Sequence, residues 1–322
     1  MSTQAHLWLG FGILVAAALA IDLGFFQRKA HVVRPREAIL WSIIWVVLAL
    51  AFNVVVYHFR GKEAALQFLT GYLVEKSLSV DNLFVFLMIF SYFGVPREHE
   101  SRILMWGVLG AILTRAIFIV AGTELMKRFA WTTYVFGGIL ILTGLKLLVK
   151  KEGVIEPEKN PVVRLFRKLF PVSPRLDGQR FFTRVDGKLM ATPLFITLIV
   201  VETTDVVFAV DSVPAIFAVV TPPDTFLIYT SNVFAILGLR QLYFLLAHLM
   251  GAFRFLKFGL VFILVFVGVK MLLAHSPYKV PTNVSLAVIG GTLAVSVIAS
   301  LLFPARRPED APKVPANTPP SE

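Results

Sequence analysis

The chain has 322 residues, 57% of them hydrophobic and only 16% charged, with a formal net charge of +11 and no cysteine. Soluble domains usually carry about 25% charged residues, so this deficit, with a mean hydropathy of +0.77, argues against a soluble domain and for a membrane protein with many spans. Disulfides, thiolate metal sites and cysteine redox chemistry are excluded. The positive charge gathers in hydrophilic connections, as on the cytoplasmic face of a membrane, and does not argue for nucleic acid.

No charged n-region or small-residue cleavage site precedes Leu7, so the first apolar segment reads as a retained span and not a removed signal. Apolar stretches of spanning length fall at 7–26, 38–57, 66–92, 102–122, 130–149, 190–220, 226–247, 255–274 and 283–303. The expected fold is therefore all-α and polytopic, with about nine transmembrane helices, the third and sixth long enough to tilt or break. Divided by these spans, the chain has an N-terminal two-helix segment (1–65), a three-helix unit (66–149), a basic loop (150–189), a second three-helix unit (190–274), a last helix (275–303) and a tail (304–322). The connection 27–37 and the 150–189 loop are rich in Lys and Arg. They place the N-terminus outside and the C-terminus in the cytoplasm, although Arg60, Lys62, Lys127 and Arg128 fall on the outer side. The stretch VVRLFRKLF (162–170) reads either as a short interfacial helix or as part of a charged linker, and the proline-rich tail as disordered.

Two apolar segments repeat one acidic pair: Glu75 and Asp81 in EKSLSVDN, Asp205 and Asp211 in DVVFAVDS, with Glu202 beside the second. An ionised side chain at mid-membrane costs at least about 2.5–3.5 kcal/mol by insertion scales, so such acids are rare and have partners. Residues six apart on a straight helix point about 240° away from each other, so each pair either spans two sub-sites or flanks an interruption. Pro214, which has no N–H for the Val210 carbonyl, predicts a break in the second segment. Glu202 and Asp205 share a face.

The repeat extends further. GVLGAILTR (107–115) parallels NVFAILGLR (232–240), and YVFGGILILTGLKLL (134–148) parallels FGLVFILVFVGVKML (258–272). Spans three to five recur as spans six to eight, and the number of intervening spans gives the copies opposite orientations. Inverted repeats of this kind underlie alternating access in many secondary transporters. Arg115 and Arg240 are the cationic partners for five carboxylates, leaving three negative charges. A divalent cation and one proton would neutralise these, which suggests metal–proton exchange. The competing reading is a set of buried salt bridges that hold helices together.

No histidine lies at mid-depth, so the candidate ligands are oxygens: the five carboxylates, with Asn82, Ser212 and Asn232 as auxiliaries. Such a set suits Mg²⁺, Ca²⁺ or Mn²⁺ better than Zn²⁺ or copper. Asn53 is a weaker polar candidate. Asp22 reads as a vestibule acid or an interfacial residue, and Lys146 and Lys270 as side chains reaching the interface. No nucleophile–base arrangement, phosphate loop or cofactor motif is present, so no enzyme is expected and the metal is a substrate.

GYLVEKSLSVDN (71–82), ETTDVVFAVDSVPAIFAV (202–219) and SNVFAILGLRQLYFLL (231–246) resemble the TerC family of integral membrane proteins, most of all its Alx-type bacterial inner-membrane members. The likeness runs from span one to span eight. It implies export of Mn²⁺ from the cytoplasm, with Glu75, Asp81, Glu202, Asp205 and Asp211 as conducting acids. The family is also associated with tellurium resistance, with insertion of other membrane proteins and with loading metal onto secreted ones. Ca²⁺/H⁺ exchange and a scaffold role therefore stand beside Mn²⁺ export as expectations.

Overall fold

The computed structural model describes residues 3–26, 33–149, 161–173, 176–185, 187–248, 255–274 and 276–302, with the side chains at 3, 22–26, 81, 149, 211, 248 and 301 outside the description. Within it the elements run α1 (Thr3–Phe26), α2 (Pro35–Tyr92), α3 (Arg97–Arg128), α4 (Thr132–Val149), α5 (Pro161–Leu169), β1 (Phe182–Val185), β2 (Lys188–Ala191), α6 (Pro193–Val219), α7 (Thr225–Leu237), α8 (Leu239–His248), α9 (Leu256–Leu272) and α10 (Thr282–Leu302). Among the described residues, six helical runs are long and apolar enough to cross a membrane, with α7 and α8 counted as one. Their outward faces carry bare apolar side chains such as Val54, Leu113 and Val295, each about two-thirds exposed, as lipid contact demands.

Three expectations need correction. Spans two and three are not separated by a loop. The hydrophilic stretch 58–65 is helical apart from Gly61, where two helical stretches of α2 meet at a kink and whose φ of 85° and ψ of 178° suit a residue without Cβ. Helix α6 is not broken at Pro214 but continues through it to Val219, so one missing N–H does not end a helix held on both sides by neighbours. A break appears elsewhere, at Gly238 between α7 and α8. Nor is the fold purely α. β1 pairs antiparallel with β2, with Val185 opposite Lys188, and Gly187, just before β2, has φ of 75°. In the basic loop, α5 packs Phe166 against Phe170 and Phe195, while Val162, Leu165 and Leu169 stay exposed. The expected tail, 304–322, lies outside the described residues.

Small residues set how closely the helices approach. A Cβ built on Gly268 of α9 would stand 2.9 Å from the Gly137 carbonyl and 2.8 Å from the Ile141 side chain of α4. One on Gly144 of α4 would stand 3.3 Å from the Val261 carbonyl and 3.0 Å from the Val265 side chain of α9. In the repeat, Gly144 aligns with Gly268, Ile141 with Val265 and Gly137 with Val261, so the two contact sets are the same set with the copies exchanged. Close backbone approach of this kind is how helices associate where lipid offers no hydrophobic drive. Helix α3 lies on α6 in similar fashion, with Gly107 under Val201, Gly110 under the Glu202 carboxylate and Gly122 under the Phe217 ring.

On the far side of the bundle, Phe11, Phe52, Phe68, Phe226 and Phe234 form an aromatic cluster that seats α1 and α2 on α7. At the end bearing the 220–224 connection, α2 is tied to that connection and to the start of α10 by polar contacts. Arg60 pairs with Asp224, the Gln67 amide donates to the Thr221 carbonyl at 2.9 Å, and Thr282 donates to Glu63 at 2.5 Å. Asp224 also caps α7, accepting from the N–H groups of Phe226 and Leu227.

Candidate functional site

Four helices, α2, α3, α6 and α7, bring polar side chains to the middle of the bundle. Glu75 on α2 is fully buried, and Arg115 on α3 and Asn232 on α7 are nearly so. The Arg115 guanidinium donates to Glu75 Oε1 at 2.8 Å, Asn232 Nδ2 donates to Glu75 Oε2 at 3.0 Å, and Ser79, one turn on, donates to Glu75 Oε1 at 3.4 Å. Both carboxylate oxygens are therefore engaged. The other end of the same guanidinium stands 3.7 Å from Asp205 Oδ1 on α6. One arginine thus lies between the acids at corresponding positions of the two sequence copies. A charge-assisted link of this kind is stronger than a neutral hydrogen bond, and in a dry interior its loss leaves an uncompensated charge.

Several polar atoms there have no hydrogen-bond partner among the described residues: Asp205 Oδ2, Asn232 Oδ1, the Arg115 Nε and Ser212 Oγ, all buried. Buried oxygens in this condition are uncommon in folded proteins and call for an explanation such as an ion or water. Ser212, seven residues beyond Asp205, lies on the same side of α6 about two turns along. Glu202, partly exposed, rests its carboxylate over Gly110, where any side chain would collide with it. The donor set is oxygen throughout, which fits a hard cation.

Of the residues singled out in the sequence, Glu75, Arg115, Asp205 and Asn232 come into one network. Asp81 and Asp211 stand on unbroken stretches of α2 and α6, but their side chains lie outside the described residues. With both helices continuous, a shared site created by an interruption between the acids of a pair is overturned. Asn82 is buried near the end of the acidic motif, and Arg240 is buried in the first turn of α8. Asn53 is half-buried on α2, and the Asp22 side chain lies outside the description. Lys146 is exposed at its helix end, whereas Lys270 is buried and does not reach an interface. Among the described residues no three His, Asp or Glu side chains gather into a ready-made metal cluster.

The sequence reading passed over Lys76, next to Glu75. Its ammonium lies inside the bundle, donating at 3.2 Å to the Ala235 carbonyl of α7. The signal available was the break it serves: Gly238 in an apolar run.

Comparison with known proteins gives a consistent picture. The family model described as integral membrane protein TerC family matches residues 60–308. An uncharacterized membrane protein of Myxococcus xanthus is 50% identical over 311 residues, covering 96% of this chain and 97% of its own. The Escherichia coli K12 protein named "Putative membrane-bound redox modulator Alx" is 48% identical over 301 residues, 91% of this chain and 93% of that one. A Rickettsia felis membrane protein is 39% identical over 295 residues, 92% and 97% of the two chains. No solved structure matches.

Proposed function

Since the chain belongs to the TerC family of integral membrane proteins, we propose that it is a bacterial inner-membrane exporter of Mn²⁺ that works by exchange with protons, with the acids of α2 and α6 as its path. The observation that carries this reading is the Arg115 guanidinium shared between Glu75 and Asp205, with unpartnered oxygens on Asp205 and Asn232 beside it. Salt bridges serving only to glue helices would leave few such oxygens, because an unsatisfied buried acceptor costs about 1–3 kcal/mol. A cation passing between the acids would satisfy them in turn.

The reading includes nine spans, counting α2 as two about Gly61 and α7–α8 as one, and two inverted three-helix copies. The exchange-symmetric glycine contacts of α4 and α9 support the inversion. The N-terminus is taken as outside and the C-terminus as cytoplasmic, from the basic 150–189 segment. Tellurium resistance would follow indirectly from metal balance. The name of the Escherichia coli relative speaks of redox modulation; with no cysteine in this chain, a redox effect would be a consequence of metal traffic and not of thiol chemistry.

Reconstituted protein tests the proposal. Mn²⁺ flux into or out of vesicles is expected to rise with an opposing pH gradient, and Asp205→Asn, Asp211→Asn and Glu75→Gln are expected to abolish it while still inserting. Normal Mn²⁺ flux in those variants would overturn the site. Equal flux of Ca²⁺ would turn the assignment to Ca²⁺/H⁺ exchange. Absence of flux in the wild type, with stable co-purification of translocation machinery, would turn it to the scaffold reading.

A further inference from the structure

Helix α7 ends at Leu237, and the N–H of Gly238 turns back to the Ile236 carbonyl. The last carbonyls of a helix lack helical N–H partners and carry the negative end of its dipole, equivalent to about half an elementary charge. On the surface water meets that need; inside a span it does not, and such groups persist only where protein or an ion satisfies them.

Here the Lys76 ammonium comes in from α2. It donates to the Ala235 carbonyl, and a Cβ on Gly238 would stand 2.8 Å from Nζ and 3.2 Å from Trp45 Cβ. Glycine at 238 is what lets the cation reach the break. An ammonium has three N–H groups, and one bond to Ala235 leaves donors over, so the place holds a charge more fully than it completes a hydrogen-bond pattern. The preceding residue, Glu75, holds Asn232 one turn earlier on the same helix. A cation position therefore adjoins the acid centre, one turn away along α7.

The second sequence copy supplies a control within the molecule. Val206 stands where the repeat would put the lysine, and Leu113 where it would put Gly238, in an α3 that runs unbroken from Arg97 to Arg128. Lysine and break face each other where the first copy meets the second, and the exchanged pairing, Val206 against Leu113, has neither. Counting Lys76 with Arg115 and Arg240 also changes the charge balance of the centre. Five carboxylates against three cations leave two negative charges, matched by one divalent cation.

We propose that the break between α7 and α8 is a cation-binding position which the chain fills with its own Lys76 ammonium, and which a free alkali cation occupies once that ammonium is removed. Lys76 is thus a tethered counter-ion that spares the exchanger a second free cation. The inference rests on the reading of the centre as a cation path, but its test does not depend on Mn²⁺ movement.

The full-length protein is purified without alkali cations, and its melting is followed in sodium, potassium or choline chloride at equal ionic strength. Wild type is expected to melt alike in all three. Lys76→Met is expected to melt lower in choline and to recover saturably with sodium or potassium, as binding to the folded state requires. Lys76→Gln, whose amide can still donate to the carbonyl, is expected to behave as Lys76→Met, because it keeps the hydrogen bond and loses the charge. If Lys76→Gln melts like wild type in every salt, or both variants fall equally in all three, Lys76 is only a helix cap and the proposal is overturned. Should neither variant accumulate, Gly238→Ala displaces the ammonium and is expected to bring the same alkali dependence; indifference to alkali there overturns it too. Alkali-dependent melting in the variants with no Mn²⁺ flux in wild type would support the tethered counter-ion and overturn Mn²⁺ export.

Discussion

Helix α3 and the α7–α8 run carry matched segments, GVLGAILTR and NVFAILGLR, each ending in a buried arginine, yet they are built differently. The first is one continuous helix, and its Arg115 reaches across to acids on two other helices. The second stops at Gly238, two residues before Arg240, and a lysine from α2 fills the gap. Near-equal sequences thus present a side-chain cation to the centre in one case and backbone carbonyls in the other. A repeat can keep its packing symmetric while its polar centre diverges, because a single glycine decides whether main-chain oxygens become available.

The strongest way to break this comparison is Arg115→Met. It strands two buried carboxylates, a change that typically costs about 3–5 kcal/mol. We expect loss of most folded protein from the membrane fraction, and a melting temperature close to wild type would show that Glu75 and Asp205 do not depend on Arg115. A smaller effect sharpens the comparison by showing where symmetry holds. Gly144→Ala and Gly268→Ala each push a methyl into the α4–α9 crossing, and overpacking of this kind typically costs about 1–3 kcal/mol. Both substitutions are expected to lower the melting temperature, Gly268→Ala more because its methyl meets a backbone carbonyl at 2.9 Å against 3.3 Å for Gly144→Ala; no change at either would mean that the crossing is not close-packed. Smallest is Leu113→Gly on the exposed face of α3, which is expected to cost about 1 kcal/mol through helix propensity alone. Hydrogen exchange should show no new opening near Arg115, because no lysine is at hand to stabilise a break there.

How legible these features were in the sequence depended on the length scale of the signal. Long apolar runs marked the helices, and the six-residue spacing of acids, with arginines ending two matched segments, pointed to Glu75, Arg115 and Asp205, which the fold gathers. Asn232 was legible as a polar residue at mid-span, although nothing in the sequence said that it would face Glu75. Breaks were misplaced. Pro214 loses one hydrogen bond in a helix packed on several sides, whereas the helix can end at Gly238 because a partner from 159 residues before Ala235 meets the Ala235 carbonyl. Lys76 was hidden by its neighbour: adjacent residues on a helix do not share a face, so a lysine beside a buried glutamate gives no hint of pointing inward too. The hairpin was hidden by composition, since Asp186-Gly187 sits among basic residues that read as linker.

The crossing of α4 and α9 has a mechanical consequence. Where Gly268 meets the Gly137 carbonyl, backbone lies against backbone with no side chain between. On either side of it the Ile141 and Val265 side chains seat against Gly268 and Gly144. Side chains that interlock resist a change of angle, since each must leave its rotamer well. The crossing therefore fixes both the separation and the angle of α4 and α9, and the two helices would move as one piece in any rearrangement of the bundle.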